Sequence, residues 1–469
     1  MILNRYENTI IKNSKLPVSW QAQKDLDELS DFLQQNWEQR SVFYDDGEIT
    51  SKQQFLSFIG QKGIKTQNYI GTIVFKGEQL NIYPKMFRTD IDDHETDDLD
   101  QKHLMNNLIR WLEYCNKVEY PFISISSELN DSEDLKEFFI TLYIGYVRSA
   151  LERNLYYQYV DETDDCRSIK GRFDIRDYII KKIPSGRGNL FRCTYSKFEF
   201  DNQLNRIIKF TCKQIFNATS KRNQKILRRI LTKLDEVTLE PCTPADCSKV
   251  RLGRMHKNYR IILSMSKMFL LNQMSGYTMD TNESFCFLFP TELLFEGFIG
   301  GFMQDVVGGY GGKVHLQQSD MHLIEDVIYN GESLGAAFTM RHDILVEIEE
   351  KIFILDTKYK QVSRFEGNPD EVLKIVSEEP KQTDIYQVCE YARKRNITDV
   401  YLLYPMFRYE ENEPSFPMGK SKGDNGTINI HFIRLPFVFE EDGERTKEML
   451  RKVILSIFNI EERECNIFE

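Results

Sequence analysis

The chain has 469 residues, 41% of them apolar, and carries 61 lysines and arginines against 72 acidic residues, a formal net charge of −11. That length and apolar content predict two or three domains with ordinary cores, and exclude a disordered tail protein or a small disulfide-stapled scaffold. Taken as an average, the negative charge also argues against a general polyanion binder.

Along the chain, Leu26, Leu29, Leu33 and Trp37 fall on one helical face and predict a helix over residues 22 to 40. Ser51 with Gln54 resembles a capping box and predicts a second helix ending near Gly60. Ser41-Val-Phe-Tyr and residues 69 to 86 read as strands, the latter turning at Lys76-Gly77-Glu78 and stopping at Pro84. The first segment is therefore a small α+β unit. Residues 90 to 100 are acidic and poor in core residues, as in a loop or linker. Helical periodicity returns over 103 to 118, 135 to about 159, 202 to 219, 221 to 234 and 255 to 273, so the middle of the chain is expected to be mostly helical. From Gly308 onward short β-runs (345–347, 352–355, 400–404) alternate with turns. Helices are predicted over 291 to 304 and 384 to 395, and the last third reads as α/β.

Charge is unevenly distributed. Residues 167 to 260 hold 23 lysines and arginines against 8 acids, a local charge of +15 in a chain whose remainder carries −26. One reading is a solvated face; the other is a phosphate-binding surface centred on Lys221, Arg222, Arg228, Arg229, Arg251, Arg254 and Lys257. Nine cysteines without paired spacing, and a first segment charged too early for a secretion signal, predict a reducing cytoplasm. No apolar run approaches the ~20 residues of a membrane span.

Two glycine-rich segments lack the nucleotide-binding pattern. Gly308-Gly-Tyr-Gly-Gly-Lys313 has Val307 and Val314 where a phosphate loop needs glycine and a hydroxyl, and Gly419-Lys420-Ser421 has Pro414 where the first glycine belongs. Both are expected to be turns, and no nucleotide cofactor site is predicted. Cys242 and Cys247 have no second pair at zinc-ligand spacing and are expected as core thiols.

The informative segment runs from Met340 to Lys360. Two β-runs flank Glu349-Glu350, and a two-residue turn there makes positions summing to 699 cross-strand partners, placing Asp343 opposite Asp356. By the two-residue period Ile352, Ile354, Asp356 and Lys358 share a side, so the lysine stands one step beyond the acidic pair. Asp-x-Lys also occurs at Asp100 and Asp134, but only here does it follow an apolar run and face a second acid. Carboxylates about 5 Å apart repel by roughly 3 kcal/mol at an effective dielectric near 20, which no purely architectural role requires. The residues leave two readings: a structural ion pair through Lys358, or two acids holding Mg²⁺ or Mn²⁺ beside a lysine that acts on water and developing charge. Glu296, an acid within an apolar helical pattern, and Gln387, paired at i, i+4 with Tyr391, are candidate supporting residues.

The order Glu296, Asp343, Asp356-Thr-Lys358, Gln387 on helix, strand, strand, helix resembles the PD-(D/E)XK nucleases. The chain is similar, more closely, to the McrC subunits of McrBC-type, 5-methylcytosine-specific restriction systems. Seven motifs carry that resemblance in order: Gly71 to Lys85, Lys170-Gly-Arg-Phe-Asp174, Glu199 to Arg206, Leu294-Phe-Glu296, Arg341-His-Asp343, Leu355 to Lys360, and Asp384 to Tyr391 with Leu403-Tyr-Pro405. The usual Arg-Pro-Asp reads Arg341-His342-Asp343 here, which removes no acid. The resemblance implies a multidomain α/β and α+β chain. Residues 1–125 would form an N-terminal α+β partner-binding region and 126–275 a basic helical, DNA-binding region. Residues 276–469 would form a PD-(D/E)XK endonuclease domain, a mixed sheet flanked by helices. It further implies a Mg²⁺-dependent DNA endonuclease that works in antiviral defence with an McrB-like AAA+ GTPase hexamer and stimulates it. The rivals are a repair nuclease without a motor, and an adaptor that keeps the nuclease fold as a scaffold.

Overall fold

The computed structural model describes residues 2–38, 52–88, 101–115, 135–153, 155–253, 256, 258–274, 284–349, 351–406, 417–423, 426–440 and 443–460. The predicted strand at Ser41, the acidic stretch 90–100 and the candidate residues Arg254 and Lys257 lie outside these. Contacts divide the chain into two units. One comprises the described parts of Met1–Trp37, Asp46–Leu135 and Asn282–Glu469, and the other the described parts of Glu38–Asp45 and Lys136–Thr281.

The first unit contains a six-stranded mixed sheet, in the order β11 (Lys313–Ile324), β14 (Ala337–Ile348), β15 (Lys351–Thr357), β16 (Asp399–Pro405), β18 (Gly426–Leu435) and β17 (Met418–Gly423). The central strand β16, DVYLLYP, is buried from its second residue on, as expected for a strand covered on both faces. On one face Ile354, Val400, Leu402, Ile430 and Phe432 pack with Val388, Tyr391 and Ala392 of a helix spanning Gln382–Arg395 (α10 in the order below). That helix ends where Asn396 adopts a left-handed φ of 55°. On the other face Phe353 meets Tyr401 and Phe458. Within the hairpin, Ile344 pairs with Leu355 and Ile348 with Lys351, the register expected from the sequence, and Glu349 takes the left-handed φ of 46° that a two-residue loop demands of its first position. A small hairpin, β12 (Ile328–Tyr329) with β13 (Glu332–Ser333), lies between β11 and β14.

A second sheet of the same unit has the order β1 (Ile2–Tyr6), β6 (Glu78–Tyr83), β5 (Tyr69–Phe75) and β10 (Phe285–Pro290). The β5–β6 turn has both Lys76 and Gly77 in the left-handed region. Gly71 is required on β5: at φ 137° a Cβ there would stand 2.1 Å from the Phe287 carbonyl oxygen of β10. Because β10 completes this sheet, residues 1–125 and 276–469 do not separate as the sequence reading divides them. Helix α2 (Gln101–Tyr114) adds to this, since Asn107 exchanges hydrogen bonds with the backbone of Phe439 (2.9 and 2.7 Å) and Trp111 stacks on Phe437 at 4.3 Å.

A third small sheet, β2 (Ile10–Lys12), β4 (Gly63–Thr66) and β3 (Leu56–Phe58), corrects a further expectation. The helix predicted to reach Gly60 is absent because Gln53 Oε1 accepts from the amides of Phe55 and Leu56, turning the chain into β3, whose pairing overrides the local capping signal. Helix α1 (Gln23–Glu38) forms as predicted. Residues 419–421 lie in β17 rather than in a turn, whereas Gly308 to Gly312 does turn the chain into β11.

The second unit holds helices α3 (Leu135–Arg153), α4 (Gln203–Ile215), α5 (Lys221–Lys233), α6 (Pro244–Lys249) and α7 (Asn258–Met274). The remaining helices, α8 (Thr291–Gly308), α9 (Pro369–Glu378), α10 (Gln382–Arg395) and α11 (Gly443–Ile457), belong to the first unit. The middle is less helical than expected. Helix α3 stops at Arg153, and β7 (Gln158–Cys166), β9 (Phe191–Glu199) and β8 (Arg172–Phe173) form a three-stranded sheet. Cys242 and Cys247 are buried with Ile207 and Leu270, and burial raises their thiols to about 11 and about 12. Among the described residues no helix is long and apolar enough to cross a membrane.

Candidate active site

The site forms where the β14–β15 ladder ends. One step beyond its last pair, Ile344 with Leu355, stand Asp343 and Asp356. Asp343 is half-buried, and its Oδ2 accepts from the Thr357 amide and hydroxyl, both at 2.9 Å. Asp356 is 1% exposed, on the sheet face shared with Ile354 and Leu402. Its Oδ2 lies 2.5 Å from Lys358 Nζ, while Oδ1 has no hydrogen-bond partner. Burial, then the charge of Asp343, push the Asp356 carboxyl up to about 7 against the opposing pull of Lys358. Burial also acts to lower the Lys358 ammonium, but Asp356 outweighs it and the net direction is upward.

Lys358 is held by more than its acid. Its Nζ donates to Gln387 Oε1 at 3.4 Å, Gln387 Nε2 donates to the Tyr391 hydroxyl at 2.7 Å, and that hydroxyl donates to the Arg341 carbonyl at 2.8 Å. The relay begins at Lys358, the residue after β15, passes through two residues of α10 and returns to β14 two residues before Asp343. His342, the departure from the usual proline, is buried with its ring 4.5 Å from that of Tyr391. The structure thus brings together Asp343, Asp356, Lys358 and Gln387. Glu296 is half-buried on α8 and is joined to this cluster by none of these contacts.

The donor set suits a hard divalent cation. Two carboxylates, one with a buried and unsatisfied oxygen, match what Mg²⁺ takes from proteins, namely one or two acids with the remaining positions left to water and phosphate oxygens. Among the described residues no three His, Cys, Asp or Glu side chains gather as a closed metal cage.

Two features escaped the sequence reading. Asp384, buried on α10, is ion-paired with Lys360 and adds negative charge near Asp356. Glu7, fully buried, accepts from the Lys85 amide and the Tyr359 hydroxyl beside Lys358. The Asp384–Lys360 pair had a signal in the motifs that contain both; Glu7 had none.

In the second unit Lys221, Arg222, Arg228 and Arg229 are exposed on α5, whose opposite side buries Asn223, Leu227 and Ile230, and Arg251 is exposed beyond α6. The motif from Glu199 to Arg206 is architectural. Asp201 receives two bonds from Arg206 (2.6 and 3.0 Å) and one from the Thr238 hydroxyl, and these hold its carboxyl at about 2. Gly171, at φ 59°, passes within a Cβ's reach, 2.5 Å, of the Thr194 carbonyl on β9, which explains the glycine of the Lys170 to Asp174 motif.

A family model described as the McrBC 5-methylcytosine restriction system component matches residues 64–405. No curated protein matches the sequence. Among solved structures, a chain of the half-complex from the tetradecameric assembly of Thermococcus gammatolerans McrB AAA+ hexamers with bound McrC is similar over 97% of this chain and 100% of that one, at 17% identity and a TM-score of 0.60. A chain of the cryo-EM structure of the Thermococcus gammatolerans McrBC complex is similar over 66% of this chain and 88% of that one, at 19% identity and a TM-score of 0.45. The chain belongs to the family of McrBC 5-methylcytosine restriction system components, as its resemblance to the McrC subunits leads one to expect.

Proposed function

We propose that the chain is the Mg²⁺- or Mn²⁺-dependent DNA endonuclease subunit of a modification-dependent restriction complex with the PD-(D/E)XK chemistry. It cuts phosphodiesters in the cytoplasm when assembled with an McrB-like AAA+ GTPase hexamer, and stimulates that partner. The observation that carries this reading is Asp356, a buried acid with an unsatisfied oxygen, a second acid beside it and a lysine against it. A fold gains no stability from that arrangement, whereas a cation relieves it.

Asp343 and Asp356 would hold the cation, which when bound polarises the phosphodiester and makes water a better nucleophile. Lys358, with its ammonium fixed between Asp356 and Gln387, orients the attacking water and stabilises charge developing on the phosphate. Gln387 and Tyr391 keep that ammonium in place by tying it to the strand that carries Asp343. Glu296 is assigned as a further acid of the reaction. The basic face of α5, with Arg251, supplies sequence-independent affinity for DNA. A partner of the AAA+ kind is supported by the similarity to a chain of an assembly of McrB hexamers with bound McrC.

The test is cleavage of DNA containing 5-methylcytosine by the purified chain with its AAA+ partner, GTP and Mg²⁺. Wild type should cut, and Asp356→Asn and Glu296→Gln should not. An Asp356→Asn chain cutting at the wild-type rate would overturn the reading, and cutting by wild type with no partner present would favour a nuclease that needs no motor.

A further inference from the structure

We propose that Glu7, Lys85 and Tyr359 form a buried clamp through which the N-terminal sheet fixes the position of Lys358. After β15 the chain makes a three-residue turn: the Lys358 amide donates to the Leu403 carbonyl at 2.8 Å, and the Lys360 amide donates back to the Lys358 carbonyl at 2.8 Å. Tyr359, at the centre of that turn, is held at both ends. Its hydroxyl donates to Glu7 Oε1 at 2.6 Å, and its carbonyl accepts from Lys85 Nζ at 3.1 Å. The same ammonium lies 4.4 Å from the centre of the Tyr359 ring.

Glu7 in turn is anchored on all sides. Oε1 also accepts from the Lys85 amide at 2.9 Å, and Oε2 accepts from the Thr291 hydroxyl at 2.7 Å. Glu7 is 0% exposed and Lys85 8%. One carboxylate therefore joins the residue after β1, the residues after β6, the turn bearing Lys358 and the first residue of α8, the helix of Glu296. Burying a carboxylate and an ammonium costs desolvation that well-packed apolar side chains would avoid, so stability alone does not account for them. What they provide is a fixed place for the middle residue of the three-residue turn, directly beside the lysine. Glu7, Lys85 and Tyr359 are positioning residues, since none touches the reacting atoms, and their consequence for cleavage rests on the nuclease reading above.

The experiment uses the full chain and reads Lys358 directly, by its rate of acetylation with N-hydroxysuccinimidyl acetate followed by peptide mass spectrometry, with exposed Lys221 as the internal standard. Tyr359→Phe and Glu7→Ala should each raise the Lys358 rate several-fold relative to Lys221, while Glu7→Gln, which keeps an acceptor for the hydroxyl, stays within about twofold of wild type. In the assembled complex the first two should lower kcat about ten- to a hundredfold with KM for DNA unchanged, the scale of a small misplacement of a reacting group. If Tyr359→Phe does not fold, the contrast of Glu7→Ala with Glu7→Gln carries the test. An unchanged Lys358 rate in Tyr359→Phe and Glu7→Ala overturns the clamp, whatever happens to cleavage. A raised rate in a protein whose wild type cuts no DNA leaves the clamp standing and removes the nuclease reading instead.

Discussion

Asp201 and Asp356 are both acids beside a cation, and they are treated in opposite ways. Asp201 has its lone pairs taken up by Arg206 and Thr238 and is held at about 2. Asp356 is buried more deeply, faces a second acid, keeps one oxygen unsatisfied and is pushed up to about 7. An acid that serves architecture is stabilised as the anion by its neighbours; Asp356 is disfavoured as the anion by burial and by Asp343 even with Lys358 beside it.

The largest effect should come from Lys358→Ala, which is expected to lower cleavage by two to three orders of magnitude, on the scale of losing one charge-stabilising donor. The same variant should keep its response to Mn²⁺, because the lysine is not a ligand. Asp201→Ala should leave cleavage chemistry intact. Cleavage assays on the two variants side by side break the comparison if Asp201→Ala is the one that loses the chemistry.

The cation response is next in size. Divalent ion at a hundred times its Kd should stabilise the wild-type chain by about 2.7 kcal/mol through mass action, and Asp343→Asn should abolish that gain. Thermal melts with and without Mn²⁺ measure both, and a wild-type Tm that ignores the ion would sink the cation site. Asp201→Ala should retain the ion's effect while losing ~1–2 kcal/mol of stability for its broken bonds.

The two acids should also respond to pH with opposite sign. Asp356 keeps its proton in the folded chain longer than in the unfolded one, so stability falls as pH rises from the ordinary carboxylate range to about 7. Asp201 gives up its proton more readily when folded. Its contribution is complete above the ordinary range and is lost as pH falls toward about 2. Denaturant titrations across this range should show Asp356→Asn removing only the first slope and Asp201→Asn only the second.

The smallest effect concerns α5. Reversing Lys221, Arg222, Arg228 and Arg229 to Glu should weaken DNA binding equally on unrelated sequences, and reduce the slope of log K against log salt by roughly 0.9 for each phosphate that is no longer neutralised. Unchanged affinity and slope in a filter-binding series would remove this face from the DNA path.

The hairpin was legible because a register is arithmetic: two β-runs around Glu349-Glu350 allow one pairing, and the acids follow from it. Helices α1, α4 and α5 were legible because each buries one stripe. The sheet of β7, β8 and β9 was not, since β7 is exposed along most of its length and QYVDETDDC carries no alternation for a core to impose. Nor was the union of the first and last segments of the chain, because the partners that make it, Glu7 with Tyr359 and Asn107 with Phe439, are each more than 300 residues apart and have no local signature.

The pairing of β5 with β10 has a consequence during synthesis. The edge of β5 that receives β10 is finished at Phe75, and its partner begins at Phe285. At about 5–20 residues per second, a ribosome takes roughly 10–40 s to make the intervening chain. For that time the nascent N-terminal sheet offers an open edge rich in isoleucine, valine and phenylalanine, a template for pairing with the wrong strand. The Lys136–Thr281 part of the second unit, set off by its own internal contacts, lies within the stretch made in that interval.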